Sequence, residues 1–259
     1  MTFKEKWLAA VKKKNSVLCI GIDPATHDQR ETQTIPEEEN KLAFCLKIIE
    51  QVAPYAAGIK PNRQYFRDFS RKDFQKMTNH IHQCGMVAID DSKISDIGDT
   101  NDAAFYHSKI EGFDAITYTP FPGNISQAIA QAKKRNLGII ALALMSNPEY
   151  AFIKNSSVCG KKVFEWVAST VKDADGDGVV IGAPSDKNHI AVSEIMQVKD
   201  LIGDRLVLVP GIGAQGGSID PIIKVFGDNT IANVGRAIVY SKSPHDAAKH
   251  YHAMLQDIK

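Results

Sequence analysis

The chain has 259 residues, 44% of them hydrophobic and 24% charged, with a formal net charge of +1. Those proportions are ordinary for a globular chain in water, and the charge balance offers no broad basic field for nucleic acid. No apolar run approaches the roughly 18 residues that a membrane-spanning helix needs, and residues 1–6 lack the apolar centre of a signal peptide.

Phe3, Trp7, Leu8 and Val11 recur at helical spacing and predict a short leading helix that ends near Asn15. Residues 17–22 are the first strand, ended by Asp23 and Pro24. Residues 25–36 are polar and turn-rich and read as a loop, and residues 37–52 as a helix with Leu42, Leu46 and Ile49 on one face. A second strand over 57–60 stops at Pro61. The helix over 71–84 is closed by Gly85, and the third strand starts at Met86. Thr100, a good N-cap residue, stands where the next helix should begin, with its body over 103–110 and Gly112 behind it. Strands four to eight fall at 114–118, 138–145, 178–182, 206–209 and 230–234. The helices between and after them fall at 125–135, 161–172, 189–201, 221–226 and 244–258.

Eight short apolar strands that do not alternate, each followed by a helix, read as strands buried on both faces of a parallel sheet. In about 250 residues that pattern predicts a (β/α)8 TIM barrel, with an open doubly wound sheet as the rival. No linker, low-complexity tract or composition break divides the chain, so residues 1–259 are expected to form one barrel domain with a short extra N-terminal helix.

A barrel places its chemistry at the carboxyl ends of its strands. There the third strand carries Asp91 and Lys93, two apart and so on one side of a regular strand, with Asp96 in the turn beyond. Buried charges are costly unless they pair with each other or with a ligand. A salt-bridged strand end would account for Asp-x-Lys alone; the longer pattern D-x-K-x-x-D-I-x-x-T from Asp91 to Thr100 is more specific. Asp23 ends the first strand and Lys60 the second. Ser146, Asn147 and Pro148 follow the fifth, and Ala183, Pro184 and Ser185 the sixth. A glycine-rich loop with Gly211, Gly213, Gln215, Gly216 and Gly217 follows the seventh, and Gly235 and Arg236 the eighth. Loops after strands seven and eight often bind phosphate in barrels. Glycines let backbone N–H groups approach the anion, and arginine grips it bidentately. A tight turn alone would also use such glycines. The loop matches neither the dinucleotide fingerprint nor a P-loop.

Other features read as structural. The eight histidines are scattered, with none at metal-ligand spacing to another His or Cys. Trp7 and Trp166 read as packing residues, and Lys12 to Lys14 as a solvated helix end. Asp173, Asp175 and Asp177 lack the twelfth-position glutamate of a calcium loop. The four cysteines, Cys19, Cys45, Cys84 and Cys159, form no C-x-x-C pair. They fit free thiols in a reducing, cytoplasmic setting better than disulfides or zinc.

The stretch from Asp91 to Thr100 resembles the orotidine 5′-phosphate decarboxylase family. The D-x-K-x-x-D core is shared with the related 3-keto-gulonate-phosphate decarboxylases and hexulose-phosphate synthases. Gly-Ile-Asp-Pro at 21–24, Ile-Lys-Pro-Asn at 59–62, Pro-Gly-Ile-Gly-Ala-Gln-Gly-Gly at 210–217 and Val-Gly-Arg-Ala-Ile at 234–238 are similar to the decarboxylase segments. The sugar-phosphate relatives carry a magnesium-binding acid where Lys60 stands. Met-Ser-Asn-Pro at 145–148 resembles the base-reading segment, although Asn147 replaces the usual histidine. The resemblance implies a decarboxylase that converts orotidine 5′-monophosphate to UMP and CO2 without metal or cofactor. It implies catalytic roles for Lys93, Asp91, Lys60 and Asp96, with Lys93 the proton donor to C6. Substrate contacts are expected from Asp23, Thr100, Ser146, Pro184, Gln215, Gly235 and Arg236, the last three around the phosphate. A homodimer in which Asp96, Ile97 and Thr100 reach the partner's site is implied as well. The alternatives are a magnesium-dependent sugar-phosphate enzyme on the same barrel and a barrel that binds nucleotide without turnover.

Overall fold

The computed structural model describes residues 1–185, 188–212 and 218–258. Eight parallel strands close into a barrel: β1 (Leu18–Ile22), β2 (Gly58–Pro61), β3 (Val87–Ile94), β4 (Ala115–Tyr118), β5 (Gly138–Leu144), β6 (Gly178–Ile181), β7 (Leu206–Val209) and β8 (Thr230–Val234). Each pairs with its successor, and β8 returns to β1 with Leu18 opposite Ala232. The closed ring rules out the open sheet. Every residue of β1, β2, β4, β5, β6, β7 and β8 is buried, which is why their sequences do not alternate.

Helices pack outside the ring, and several begin at other residues than the sequence suggests. The helix after β1 is Lys41–Val52 rather than 37–52, because the Asn40 side chain caps it by accepting the Ala43 N–H. The helix expected over 161–172 is Val163–Asp173. Lys161–Lys162 instead pairs antiparallel with Ser157–Val158 in a small hairpin, preceded by the short helix Tyr150–Lys154. The helix after β6 is Val192–Ile202 rather than 189–201. A second unanticipated short helix, Arg236–Val239, follows β8.

The leading helix Phe3–Lys14 lies across the amino end of the barrel. Thr2 and Glu5 cap it reciprocally, and Asn15 ends it in the left-handed conformation at φ 48°. Trp7 is wholly buried, its indole N–H donating to Asp228 O at 3.0 Å. Gly138 has to lack a side chain, since a Cβ there would lie 2.4 Å from that of Phe3. Lys14 is not simply solvated: its ammonium donates to Ala53 O and Cys84 O, each at 2.7 Å. All four cysteines are free. Burial pushes the Cys19 and Cys45 thiols up to about 12, so they pack as small apolar groups.

Candidate functional site

At the carboxyl rim Lys60, Asp91 and Lys93 form one ion cluster. Lys60 Nζ donates to Asp91 Oδ2, and Lys93 Nζ donates to Asp91 Oδ1 at 2.6 Å. The side chains of Lys60 and Asp91 are each 7% exposed, whereas that of Lys93 is 44% exposed. The carboxylate is thus sealed between two cations, one of which faces the open end of the barrel.

Regular strand alternation is not what joins Asp91 to Lys93. Between the register pairs Asp90–Ile116 and Ile94–Tyr118, β3 carries three residues and β4 only Thr117. The surplus forms a bulge. Lys93 sits in it at φ 51°, a conformation that costs a residue with a Cβ about 1–3 kcal/mol unless its surroundings hold it. They do. The Lys93 N–H donates to Thr117 Oγ1 at 2.9 Å, and the ladder resumes where the Thr119 N–H donates to Ile94 O at 2.7 Å. Thr117 Oγ1 also lies 3.1 Å from Asp91 Oδ1 as a donor.

The electrostatics follow from burial against pairing. Burial alone would raise the Asp91 carboxyl, but the ammonium groups of Lys60 and Lys93 outweigh it and hold Asp91 far below the usual carboxylate range. Burial would lower Lys60, yet the attraction and hydrogen bond of Asp91 leave it raised. Asp23, at the end of β1, is pushed up by burial and by the Asp91 charge, against the pull of Lys60, Arg30 and Lys93.

Asp90 points the other way, into the helix layer. Arg63 holds it from Nη2 at 2.6 Å and Nε at 3.2 Å, reaches Glu111 at 2.5 Å, and lies with its guanidinium 4.1 Å from the Phe74 ring centre. Ser92 donates to the same carboxylate. The bulge is therefore braced from outside by Arg63, Asp90 and Ser92 and from inside by Thr117. Neither Arg63 nor Thr117 stands out in the sequence, because each acts across strands far apart in the chain.

Asp96 lies past β3 and is exposed. Its main-chain carbonyl accepts Asn101 Nδ2 at 2.5 Å and Asn124 Nδ2 at 3.1 Å, and its own carboxylate accepts the Ile97 N–H at 2.8 Å. The following helix is Gly98–Ile110, not 103–110, and Ile97 is its N-cap. Thr100 is therefore exposed within the first turn rather than capping it, the turn being set by Gly98 at φ 46° and by Asn101 reaching back. Among the described residues, no hydrogen bond joins Asp96 or Thr100 to the Lys60–Asp91–Lys93 cluster. Ile97 beside them is 64% exposed.

Across the rim, Ser146 packs so tightly that a Cβ on Gly182 would come within 2.8 Å of its own. Asn147 donates to Glu149 at 2.8 Å, and its carbonyl lies 3.0 Å from His189 Nε2. Pro184 is buried and its carbonyl accepts the Ser218 N–H at 2.9 Å, tying the start of the β6 loop to the far end of the β7 loop. Gln215, with Gly213, Gly216 and Gly217, lies outside the described residues. Gly211 has φ 82°, as a turn built on glycine requires. Gly235 approaches β1 closely, where a Cβ would meet Gly21 O at 3.2 Å, and Arg236 is exposed at the start of its short helix. Tyr240 closes that helix and donates to Asp23 O at 2.8 Å, so the arginine segment and the first acid are held in one frame.

The profile of the orotidine 5′-phosphate decarboxylase / HUMPS family matches residues 16–251. The chain belongs to this family. It is 31% identical to an orotidine 5′-phosphate decarboxylase of Cupriavidus taiwanensis, over 96% of this chain and 93% of that one. A relative of the same name in Azoarcus sp. is 33% identical over the same shares. Among solved structures, the orotidine-monophosphate-decarboxylase of Toxoplasma gondii shares the fold, with a TM-score of 0.84 at 20% identity, covering 98% of this chain and 96% of that one. The acid and lysine residues that end β2 and β3, Lys60, Asp91 and Lys93, lie here on one rim. Among the described residues no helix is long and apolar enough to cross a membrane.

Proposed function

We propose that this chain decarboxylates orotidine 5′-monophosphate to UMP and CO2, the closing step of UMP synthesis, as one cytoplasmic barrel domain without metal or cofactor. The carrying observation is the Lys60–Asp91–Lys93 cluster, with one buried carboxylate between two ammonium groups and only Lys93 open to the barrel mouth. As the substrate carboxylate departs, electron density gathers at C6. An ammonium aimed there stabilises that charge and then delivers its proton, so that a C–H bond replaces the C–C bond. Asp91 fixes the Lys93 ammonium and sets its own negative charge where the departing carboxylate is held. Lys60 keeps Asp91 ionised and occupies the oxygen that a divalent ion would otherwise ligate. Asp23 binds the ribose, Ser146 and Pro184 border the base, and Gln215, Gly235 and Arg236 hold the phosphate. Binding energy from the phosphate, remote from the reacting bond, is then available at the transition state.

The decisive assay follows the loss of orotidine monophosphate absorbance in EDTA. Sustained turnover supports the reading; turnover only with magnesium points to the sugar-phosphate class, and UMP binding without turnover to a binding barrel.

A homodimer completes the reading, with Asp96 and Thr100 acting in the partner's site. Supporting it are the exposed carboxylate, the two asparagines that pin its main chain, and the bare Ile97 beside it. Asp96→Ala and Lys60→Ala chains, unfolded and refolded together, test it. Random pairing makes about half the dimers mixed, each with one intact site, so about a quarter of wild-type activity should return. A mixture as inactive as its parents would rule the shared site out.

A further inference from the structure

We infer that Thr117 is a positioning residue of the decarboxylase site, setting Lys93 and Asp91 relative to each other through its hydroxyl. The inference rests on the decarboxylase reading. Thr117 is the single β4 residue opposite the three β3 residues of the bulge, so it is the point where the ladder between these strands is interrupted. An N–H left out of a ladder needs another acceptor. Lys93 finds one in Thr117 Oγ1 at 2.9 Å. A hydroxyl that accepts can still donate, and the same oxygen lies 3.1 Å from Asp91 Oδ1, its other acceptor, Asp90 O, being farther at 3.5 Å. One buried oxygen thus engages the backbone of the lysine and the carboxylate that holds that lysine's ammonium. Thr117 Oγ1, the Lys93 N–H, the Lys93 ammonium and Asp91 Oδ1 form a closed ring.

That ring has a specific consequence for the reaction. The ammonium has to stand within reach of C6, and a displacement of about 1 Å at a reacting group can cost on the order of 100-fold in rate. Losing the hydroxyl frees the Lys93 main chain from its positive-φ conformation and removes one donor from Asp91. Neither change touches the phosphate or ribose contacts, so binding of UMP, which has no carboxylate to meet Asp91, should be unchanged.

The test separates the hydroxyl from the methyl. Thr117→Val keeps the shape and the β-branch and removes the hydrogen bonds; Thr117→Ser keeps the hydroxyl and removes the methyl. A positioning hydroxyl predicts kcat lowered about 10- to 100-fold in Thr117→Val, with KM and the calorimetric UMP affinity within a few fold of wild type, and kcat largely restored in Thr117→Ser. The reverse order, with valine active and serine impaired, would show that Thr117 only fills space and would overturn the inference. If valine does not fold, Thr117→Ser against Thr117→Ala makes the same comparison without the methyl in either. Hydrogen exchange at the Lys93 amide reads the ring without turnover. It should quicken in Thr117→Val and not in Thr117→Ser, and equal protection in both would sink the role assigned to the hydroxyl. A wild-type chain that fails to decarboxylate would defeat the functional reading alone, since the exchange result would still stand.

Discussion

The barrel holds a buried carboxylate between two basic side chains at each of its ends, and the two clusters differ in what is left open. At the carboxyl end Asp91 lies between Lys60 and Lys93. At the amino end Asp114 lies between Lys6 at 2.7 Å and His82 at 2.8 Å. Asp114 also accepts the Ala88 N–H at 2.9 Å, and its two basic partners come from the leading helix and from the helix Arg71–Gln83. The lower cluster therefore ties two outer elements to the β3 and β4 ends. The upper one joins only neighbouring strand ends: Lys60 comes from β2 and Lys93 from β3, and the Lys93 side chain is left partly exposed. On the proposed function, similar residues serve cohesion at one end and chemistry at the other, since barrel enzymes carry their active sites at the carboxyl ends of the strands.

The sharpest way to break this contrast is to remove the outward lysine. Lys93→Ala should lower kcat by roughly 100- to 10,000-fold, the span expected for a positioned proton donor. Because Lys60 still pairs Asp91, the thermal midpoint should stay close to wild type. Substantial turnover in a folded Lys93→Ala chain would remove Lys93 from the mechanism. A large fall in the midpoint would instead make the upper cluster structural, like the lower.

The sequence showed the first cluster and not the second, and the reason is physical. Acids and lysines at the ends of apolar runs stand out against their surroundings, so Asp23, Lys60, Asp91, Lys93 and Arg236 were all legible once eight such runs were counted. Asp114, His82 and Lys6 belong to three elements separated by many residues, and each looks like an ordinary surface charge in its own segment. The same limit hid Thr117, a neutral residue in an apolar strand whose importance arises only from the register of β3 on β4. It also hid the bulge, since alternation along one strand says nothing about an extra residue opposite its neighbour. Helix starts shifted where a side chain other than the expected one made the cap, as Asn40 does and Thr100 does not. The hairpin of Ser157–Val158 with Lys161–Lys162 escaped because strands of two residues carry no period.

The smallest expected effect concerns the lower cluster. Asp114→Asn should leave kcat within a few fold of wild type and reduce stability by about 2 kcal/mol near neutral pH, as for basic partners left without their buried carboxylate. Its pH dependence is the finer measurement. Burial alone would raise the Asp114 carboxyl, but His82, the Ala88 N–H and Lys6 bring it down to about 2. A carboxyl whose folded value lies below its unfolded value of about 4 releases its proton more readily when folded. Its contribution is therefore complete above about pH 4 and disappears as the pH falls toward 2. From the size of that depression the contribution is about 2 kcal/mol. Asp91 is depressed in the same direction and loses stability over an overlapping window, so the wild-type acid profile alone cannot separate the two ends. Subtracting the Asp114→Asn profile does. Urea unfolding of both chains from pH 6 downward should show a gap that is constant to about pH 4 and then narrows as the wild-type carboxyl takes up its proton. A gap that stayed constant to pH 2 would mean that Asp114 holds the leading helix by shape and neutral hydrogen bonds, not by charge.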